Sequence, residues 1–226
     1  MIYNRLIKNF FSDEELLELK SYAENLFSKS NVVDITTLTW DDIYTNVRDI
    51  QIDKYMGRVQ LTLPPTEYPE RIVKKLSDAA KVLDPNSKIK YFSFVKYSLD
   101  YGYPQLMPHI DHPKKECFLF DIQLQSNIDW PLVVNGKEYS LQDNDLLVID
   151  VQREVHWRKP IKFNEDSYVY NMFVSFDNDN LDLPEESWQY EQCAPYLSGY
   201  QKQVSAIYPD NPSGQDGSQW KEIRKK

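Results

Sequence analysis

Five β-rich runs downstream of Asn86 constrain the fold of this chain more than any other feature in it. They read KYFSFVKYSL, CFLFDIQLQ, WPLVVNGKEYSL, DLLVIDV and SYVYNMFVSF, and Gly, Asn, Asp and Pro signals separate them. Short strands at such spacing make an antiparallel sandwich or jelly roll. Inside the third run, Asn135 and Gly136 form the dipeptide that two-residue hairpin turns favour.

The first third of the chain predicts helices flanking that β unit. Residues Ile2 to Phe11 read as a short strand or extended piece, and Ser12 with Glu15 three residues on is a capping-box pattern. Leu16, Leu17, Leu19, Ala23, Leu26 and Phe27 then recur at helical spacing through about Ser28. Asn31 to Thr66 is mixed and polar, with β-branched clusters such as VVDITTLTW and RVQLTL, and reads as loops and short strands. A second helix is predicted after Tyr68 and Pro69, where Ile72, Val73, Leu76, Ala79, Ala80 and Leu83 follow the 3.6-residue period until Asp84 and Pro85 stop it. The fold class expected is mainly β with flanking helices, a cupin-like jelly roll, over residues 1–176. Residues 177–226 are expected to be an appendage, because six acidic residues without Lys or Arg stand between Asp177 and Glu191 and the chain ends on KEIRKK. The acidic stretch and the tyrosines after it are expected beside the mouth of a pocket.

Composition narrows the function classes. A chain of 226 residues, 41% hydrophobic and 14% aromatic, has matter for a packed core, which excludes a disordered protein. Two cysteines, Cys117 and Cys193, make neither a disulfide framework nor a cysteine cage for zinc. A net charge of -9 repels phosphate backbones, so nucleic acid is a disfavoured partner. No stretch approaches the roughly 18 apolar residues that span a bilayer, and the opening turns acidic where a signal peptide would need its cleavage site. A cytoplasmic protein with no membrane partner is therefore expected.

All three histidines, His109, His112 and His156, fall within the β-rich half. His109 and Asp111 stand two residues apart at the end of a run, so on extended backbone both side chains leave one face. His156 lies at another strand end, 45 residues beyond Asp111. In a double-stranded β-helix, strands distant in sequence pair across the barrel, and a gap of this size brings a third group onto the first two. Two imidazoles and one carboxylate on one face of an octahedron, with other positions open, are the ligand set of non-haem Fe(II) oxygenases. The bland alternative is that His-x-Asp is a surface ion pair.

The surrounding pattern resembles the 2-oxoglutarate and Fe(II)-dependent oxygenases, in particular prolyl-4-hydroxylase-like and phage-type members. The similarity runs from NFFSDEELLELKSYAE through VKYSLDYGYPQLMPHID to NGKEYSLQDNDLLVID and VHWRKPI, and reaches about Phe176. Its most specific part is Tyr97 on a strand, a turn at Gly102, then Pro108, His109 and Asp111, a hairpin, and the distal His156. The resemblance implies catalytic Fe(II) held by His109, Asp111 and His156, with 2-oxoglutarate and O2 as co-substrates and ascorbate as an optional addition. It implies hydroxylation of a C–H bond in a protein or amino-acid side chain, with succinate and CO2 as co-products.

One departure stands out. Many members carry Arg or Lys about ten residues after the distal histidine, where this chain reads NEDSYVYNMF. Arg158 is the best substitute for binding the far carboxylate of 2-oxoglutarate, because it follows His156 by two and shares its face if the strand continues; Tyr97 is a second donor. The bland readings are a surface arginine and a core tyrosine. His112 is expected to point away from the metal, Trp130 and Trp157 to be core residues, and Asp121 and Asp150 to be partners of a ligating imidazole. Two rival functions remain: a cupin-type metal enzyme that does not use 2-oxoglutarate, and a non-enzymatic jelly-roll binding module.

Overall fold

Ser12 and Glu15 cap the first helix reciprocally, the Ser12 N–H donating to Glu15 Oε2 at 2.8 Å and the Glu15 N–H to Ser12 Oγ at 3.2 Å. In this computed structural model, which describes residues 5–29, 31–34, 49–111, 116–177 and 186–210, α1 is Asp13–Lys29. Its buried stripe holds Leu19 and Ala23, while Leu17 stands off it at 66% exposure. The second helix, α2, is Glu70–Leu83 and buries Ile72, Leu76 and Ala80. It ends at Asp84, whose N–H bonds to Ala80 O at 2.9 Å, one residue before the proline that the sequence marks as its stop.

Eleven strands are seen among the described residues. They are β1 (Leu6–Ile7), β2 (Val32–Asp34), β3 (Ile50–Asp53), β4 (Arg58–Leu63), β5 (Lys88–Ser98), β6 (Glu116–Ser126), β7 (Leu132–Val134), β8 (Lys137–Tyr139), β9 (Leu146–Ile149), β10 (His156–Arg158) and β11 (Tyr168–Asp177). An eight-stranded sheet runs β1-β9-β6-β11-β5-β4-β3-β2 and a three-stranded sheet runs β10-β7-β8. Asn135 and Gly136 join β7 to β8 with φ of 48° and 80°, the paired positive angles of a type I′ turn. The predicted extended piece at the N-terminus pairs over two residues only, Leu6 with Leu147 and Ile7 with Leu146. Most of VVDITTLTW lies outside the described residues, whereas RVQLTL is β4.

Alternation along the central strands sorts two cores. Phe92 and Phe94 of β5, Phe120 and Ile122 of β6, and Met172 and Val174 of β11 are fully buried beside the apolar stripes of α1 and α2. Each such side chain contributes about 1.5–3 kcal/mol on burial, which fixes both helices to that face. The other face of the same strands carries Val95, Tyr97, Leu119, Asp121, Val169 and Asn171, all buried. It packs toward the smaller sheet through Leu132, Val134 and Trp130. The interior between the sheets is therefore partly polar, unlike the helix side.

Residues 186–210 belong to the appendage that the sequence marks off after Phe176. They form a helix, α3 (Glu186–Ile207), with Pro195 inside it, and Tyr200, Val204 and Tyr208 are buried. Most of the acidic stretch before it lies outside the described residues. No helix among the described residues is long and apolar enough to cross a membrane.

Candidate metal centre

Backbone pairing builds the site. β10 has β7 on one side, and on its other edge His156 forms an isolated bridge with His109. The His109 N–H donates to His156 O at 3.1 Å and the His156 N–H to His109 O at 2.9 Å. Residues directly opposed in an antiparallel ladder project to the same face, so the two imidazoles emerge together, with ring centroids 4.2 Å apart. Asp111 follows by two, its N–H bonded to Val151 O at 2.9 Å, and shares that face. Asp111 Oδ1 stands 3.3 Å from His109 Nε2 and 3.7 Å from His156 Nε2. The three ligand atoms lie within 4.8 Å of one another. The 45-residue gap read in the sequence is thus closed by one isolated bridge between the two histidines.

Hydrogen bonds behind the rings choose the tautomer. His109 Nδ1 lies 2.7 Å from Met107 O, and His156 Nδ1 3.0 Å from Glu154 O. A carbonyl can only accept, so each Nδ1 carries a hydrogen, and each Nε2 is the ring nitrogen turned toward Asp111. Burial pushes His156 down to about 4, so it is neutral at pH 7. At Asp111, burial works upward, but His109, His156 and the Arg58 guanidinium outweigh it and hold the carboxyl below its ordinary range. The carboxylates expected behind the rings are elsewhere. Asp121 accepts from Arg158 and Asn171, and Asp150 accepts from the Gln152 N–H at 3.2 Å and Arg153 Nη1 at 3.3 Å. Backbone carbonyls do the orienting instead.

Two imidazole nitrogens and a carboxylate oxygen converging from one side suit a divalent first-row ion with open positions opposite. The His156 side chain is 4% exposed against 21% for His109 and 29% for Asp111, so the opening to solvent lies on the His109 and Asp111 side.

Arg158 is not a surface residue. It is 1% exposed, two residues after His156, and its Nη2 donates to Asp121 Oδ2 at 2.9 Å and Nη1 to Trp130 O at 2.8 Å. Its charge is matched, although burial still pushes the Asp121 carboxyl upward. Trp130 is a core residue, as expected; it lies 5.4 Å from the Arg158 guanidinium and edge-on to Tyr97 at 4.9 Å. Tyr97 is 1% exposed and accepts a 3.4 Å hydrogen bond from Arg58 Nη1. His112 lies outside the described residues.

Arg58, the first residue of β4, is the group that the sequence analysis missed. Its only signal is a leading arginine on the alternating run RVQLTL, in a stretch read as loops and short strands. It faces Tyr97 in register, and two glycines bring its hairpin to the segment that carries His109 and Asp111. A Cβ on Gly57 (φ 58°) would stand 2.4 Å from Pro104 N, and one on Gly102 (φ 123°) 2.4 Å from Lys54 O. Only glycine allows both angles and both approaches. Gln105 completes the clamp, its N–H bonding Met56 O at 3.2 Å and its Nε2 donating to Tyr55 O at 2.7 Å.

The helix α3 packs on the reverse side of the ligand strands. Cys193 and Leu197 meet Ile110, Val155 and Trp157, residues that alternate with the ligands, and Tyr200 OH accepts the Leu106 N–H at 3.0 Å.

Solved structures share this architecture. The chain is similar to a prolyl hydroxylase of Trichoplax adhaerens in complex with a hypoxia-inducible-factor peptide fragment (TM-score 0.53, 17% identity, 77% of this chain and 83% of that one). It is also similar to the non-heme α-ketoglutarate-dependent carbocyclase SnoK of nogalamycin biosynthesis (0.55, 10%, 76% and 78%). A third is EctD from S. alaskensis with bound Fe (0.56, 13%, 80% and 74%). No family model and no curated protein matches the chain in sequence. The shared fold is the double-stranded β-helix, as the sequence resemblance implies.

Proposed function

We propose that the chain is a non-haem Fe(II) and 2-oxoglutarate-dependent oxygenase that hydroxylates a C–H bond of a protein or amino-acid side chain. The observation that carries this reading is the convergence of His109 Nε2, Asp111 Oδ1 and His156 Nε2, with both Nδ1 atoms committed to carbonyls, inside a double-stranded β-helix. The balance is 2-oxoglutarate plus O2 plus R–H giving succinate, CO2 and R–OH. Iron, when bound, supplies the oxygen activation that no side chain provides.

The residues of the chain position and shelter. His109, Asp111 and His156 are the metal ligands in this reading, with Met107 O and Glu154 O holding the two rings. The partly polar barrel interior receives 2-oxoglutarate, and a buried carboxylate there needs charge-assisted partners. Arg158 and Tyr97 are the proposed partners. Asp121 already occupies one edge of the Arg158 guanidinium, leaving it a weaker anion site than an unpaired arginine. That pairing is the one feature that favours the alternative, a metal enzyme of the same fold without 2-oxoglutarate.

Anaerobic titration with Fe(II) and then 2-oxoglutarate tests the reading. A weak visible charge-transfer band saturating at one equivalent of each, and succinate release that requires both, are expected. Metal binding without any 2-oxoglutarate response would leave the alternative enzyme; no metal binding would leave a binding module.

A further inference from the structure

Between the two sheets, beyond the metal centre, lies a closed polar ensemble. Arg158 enters it from β10, Asp121 from β6 and Asn171 from β11, and the three are 1%, 2% and 0% exposed. Arg158 Nη2 donates to Asp121 Oδ2 at 2.9 Å, Arg158 Nη1 to Trp130 O at 2.8 Å, and Asn171 Nδ2 to Asp121 Oδ1, while Asn171 Oδ1 is buried without a partner. In register, β9 sets Leu147 and β11 sets Phe173 against Asp121, and the Tyr97 phenol of β5 stands beyond Trp130. Among the described residues, Arg158 is the one charged group that faces the Asp121 carboxylate.

Two carboxylates compete for that guanidinium once 2-oxoglutarate is bound. Arg158 and His156 leave the same face of β10 two residues apart, about 7 Å of extended strand, so the far carboxylate of a co-substrate held beside His156 meets Arg158, whose edge Asp121 already takes. Two carboxylates in one dry site do not both stay ionised; one of them takes a proton. Charge balance agrees. A divalent ion with the Asp111 carboxylate leaves one net positive charge, the pair of Arg158 and Asp121 adds none, and the 2-oxoglutarate dianion turns the total to one net negative charge in a buried place. Burial already pushes the Asp121 carboxyl above its ordinary range, further than Arg158 and Asn171 draw it down. Asn171 suits both states, because an amide donates to a carboxylate and, turned over, accepts from the acid with the oxygen that now lacks a partner.

We propose that Asp121 takes up one proton from solvent as 2-oxoglutarate binds, which turns the Arg158 charge over to the far carboxylate and makes Asp121 the residue that sets co-substrate affinity. This rests on the oxygenase reading with Arg158 as the carboxylate partner. The sign follows from linkage: a proton bound together with the ligand makes affinity fall about tenfold for each pH unit of rise.

The test is calorimetric titration of the full-length protein, loaded with Fe(II) under anaerobic conditions, with 2-oxoglutarate and with 2-oxopentanoate, which has the same keto-acid end and no far carboxylate. In wild type, 2-oxoglutarate affinity should fall about tenfold from pH 7 to pH 8, and enthalpies in buffers of different ionisation heat should give uptake of about one proton. Binding of 2-oxopentanoate should show neither. Asp121→Asn should bind 2-oxoglutarate at least tenfold tighter than wild type at pH 8, without proton uptake and with less than a twofold change over that pH range. It should bind Fe(II) and 2-oxopentanoate within twofold of wild type, which a merely structural role for Asp121 would not keep apart from the change in 2-oxoglutarate. The proton count in wild type decides the matter even where the variant fails to fold. No uptake in wild type, uptake that persists in Asp121→Asn, no tightening in that variant, or a tightening shared by 2-oxopentanoate overturns the proposal and leaves the oxygenase reading standing. Failure of both acids to bind either protein overturns both.

Discussion

Replacing Arg158 by Met strips the buried Asp121 of its partner and separates two roles that the structure superimposes. The side chains are 1% and 2% exposed and 2.9 Å apart, and the remaining contact to Asp121 is the Asn171 amide. Removing one member of a buried pair costs about 3–5 kcal/mol, because the other charge must stay uncompensated or take a proton. In a chain of this size each kcal/mol moves the melting temperature by roughly 2–4 °C, so the variant should melt about 6–20 °C lower. Asp121→Asn combined with Arg158→Met removes both charges and should return to within about 1–2 kcal/mol of wild type. Urea denaturation at pH 7 gives stability, and the half-saturation of 2-oxoglutarate is read on the same proteins. If Arg158 grips the far carboxylate, 2-oxoglutarate stays weakened about tenfold or more in the stable double variant, as the loss of one charge-assisted hydrogen bond requires. Recovery of 2-oxoglutarate affinity in the double variant would make Arg158 purely structural. A double variant no more stable than Arg158→Met would refute the compensation argument itself.

Alanine at His109, Asp111 or His156 should each lower Fe(II) affinity and abolish turnover, read by metal analysis after dialysis and by succinate release. Acid should weaken the metal-free fold through His156. Its folded value near 4 lies below the unfolded 6.5, so the neutral ring stabilises fully above about pH 6.5. About 3 kcal/mol is then lost as pH falls from there to 4, and the loss should vanish in His156→Phe when unfolding midpoints are compared across pH. Tyr200→Phe should cost about 1–3 kcal/mol by stranding the buried Leu106 N–H, measured by chemical denaturation.

The barrel and the triad were legible because each has a local signature. Period-2 runs with turn residues between them announced β5, β6, β9 and β11, Asn135-Gly136 announced its hairpin, and His109-x-Asp111 shares a face by strand parity alone. α3 carries Pro195 and Gly199, which disfavour a helix, although Cys193, Leu197, Tyr200 and Val204 keep helical spacing. Its helicity is sustained by packing on the ligand strands, a tertiary fact. The pairing of Arg158 with Asp121 was equally out of reach, since it joins strands 37 residues apart. So was Arg58, whose relevance depends on two glycines pressing one hairpin against a distant loop.

Those long-range contacts explain how His109 and Asp111, on irregular backbone, keep one geometry with His156 at the start of β10. His109 and Asp111 stand in no strand of their own, and what holds them is a set of backbone bonds: His109 to His156, Asp111 to Val151, and Arg158 to Leu106 O at 3.0 Å. Each uses a main-chain group that any side chain could accompany, which is why the residues flanking the ligands carry so little signal. The segment is then gripped from two sides, by the β3–β4 hairpin through Gly57 and Gln105 and by α3 through Tyr200. Because the rings are aimed by carbonyls of this same segment and of the turn before β10, a shift of the backbone is a shift of the ligand nitrogens. In the proposed metal site, affinity should therefore depend on the docking of α3 and of the hairpin as well as on the ligands themselves.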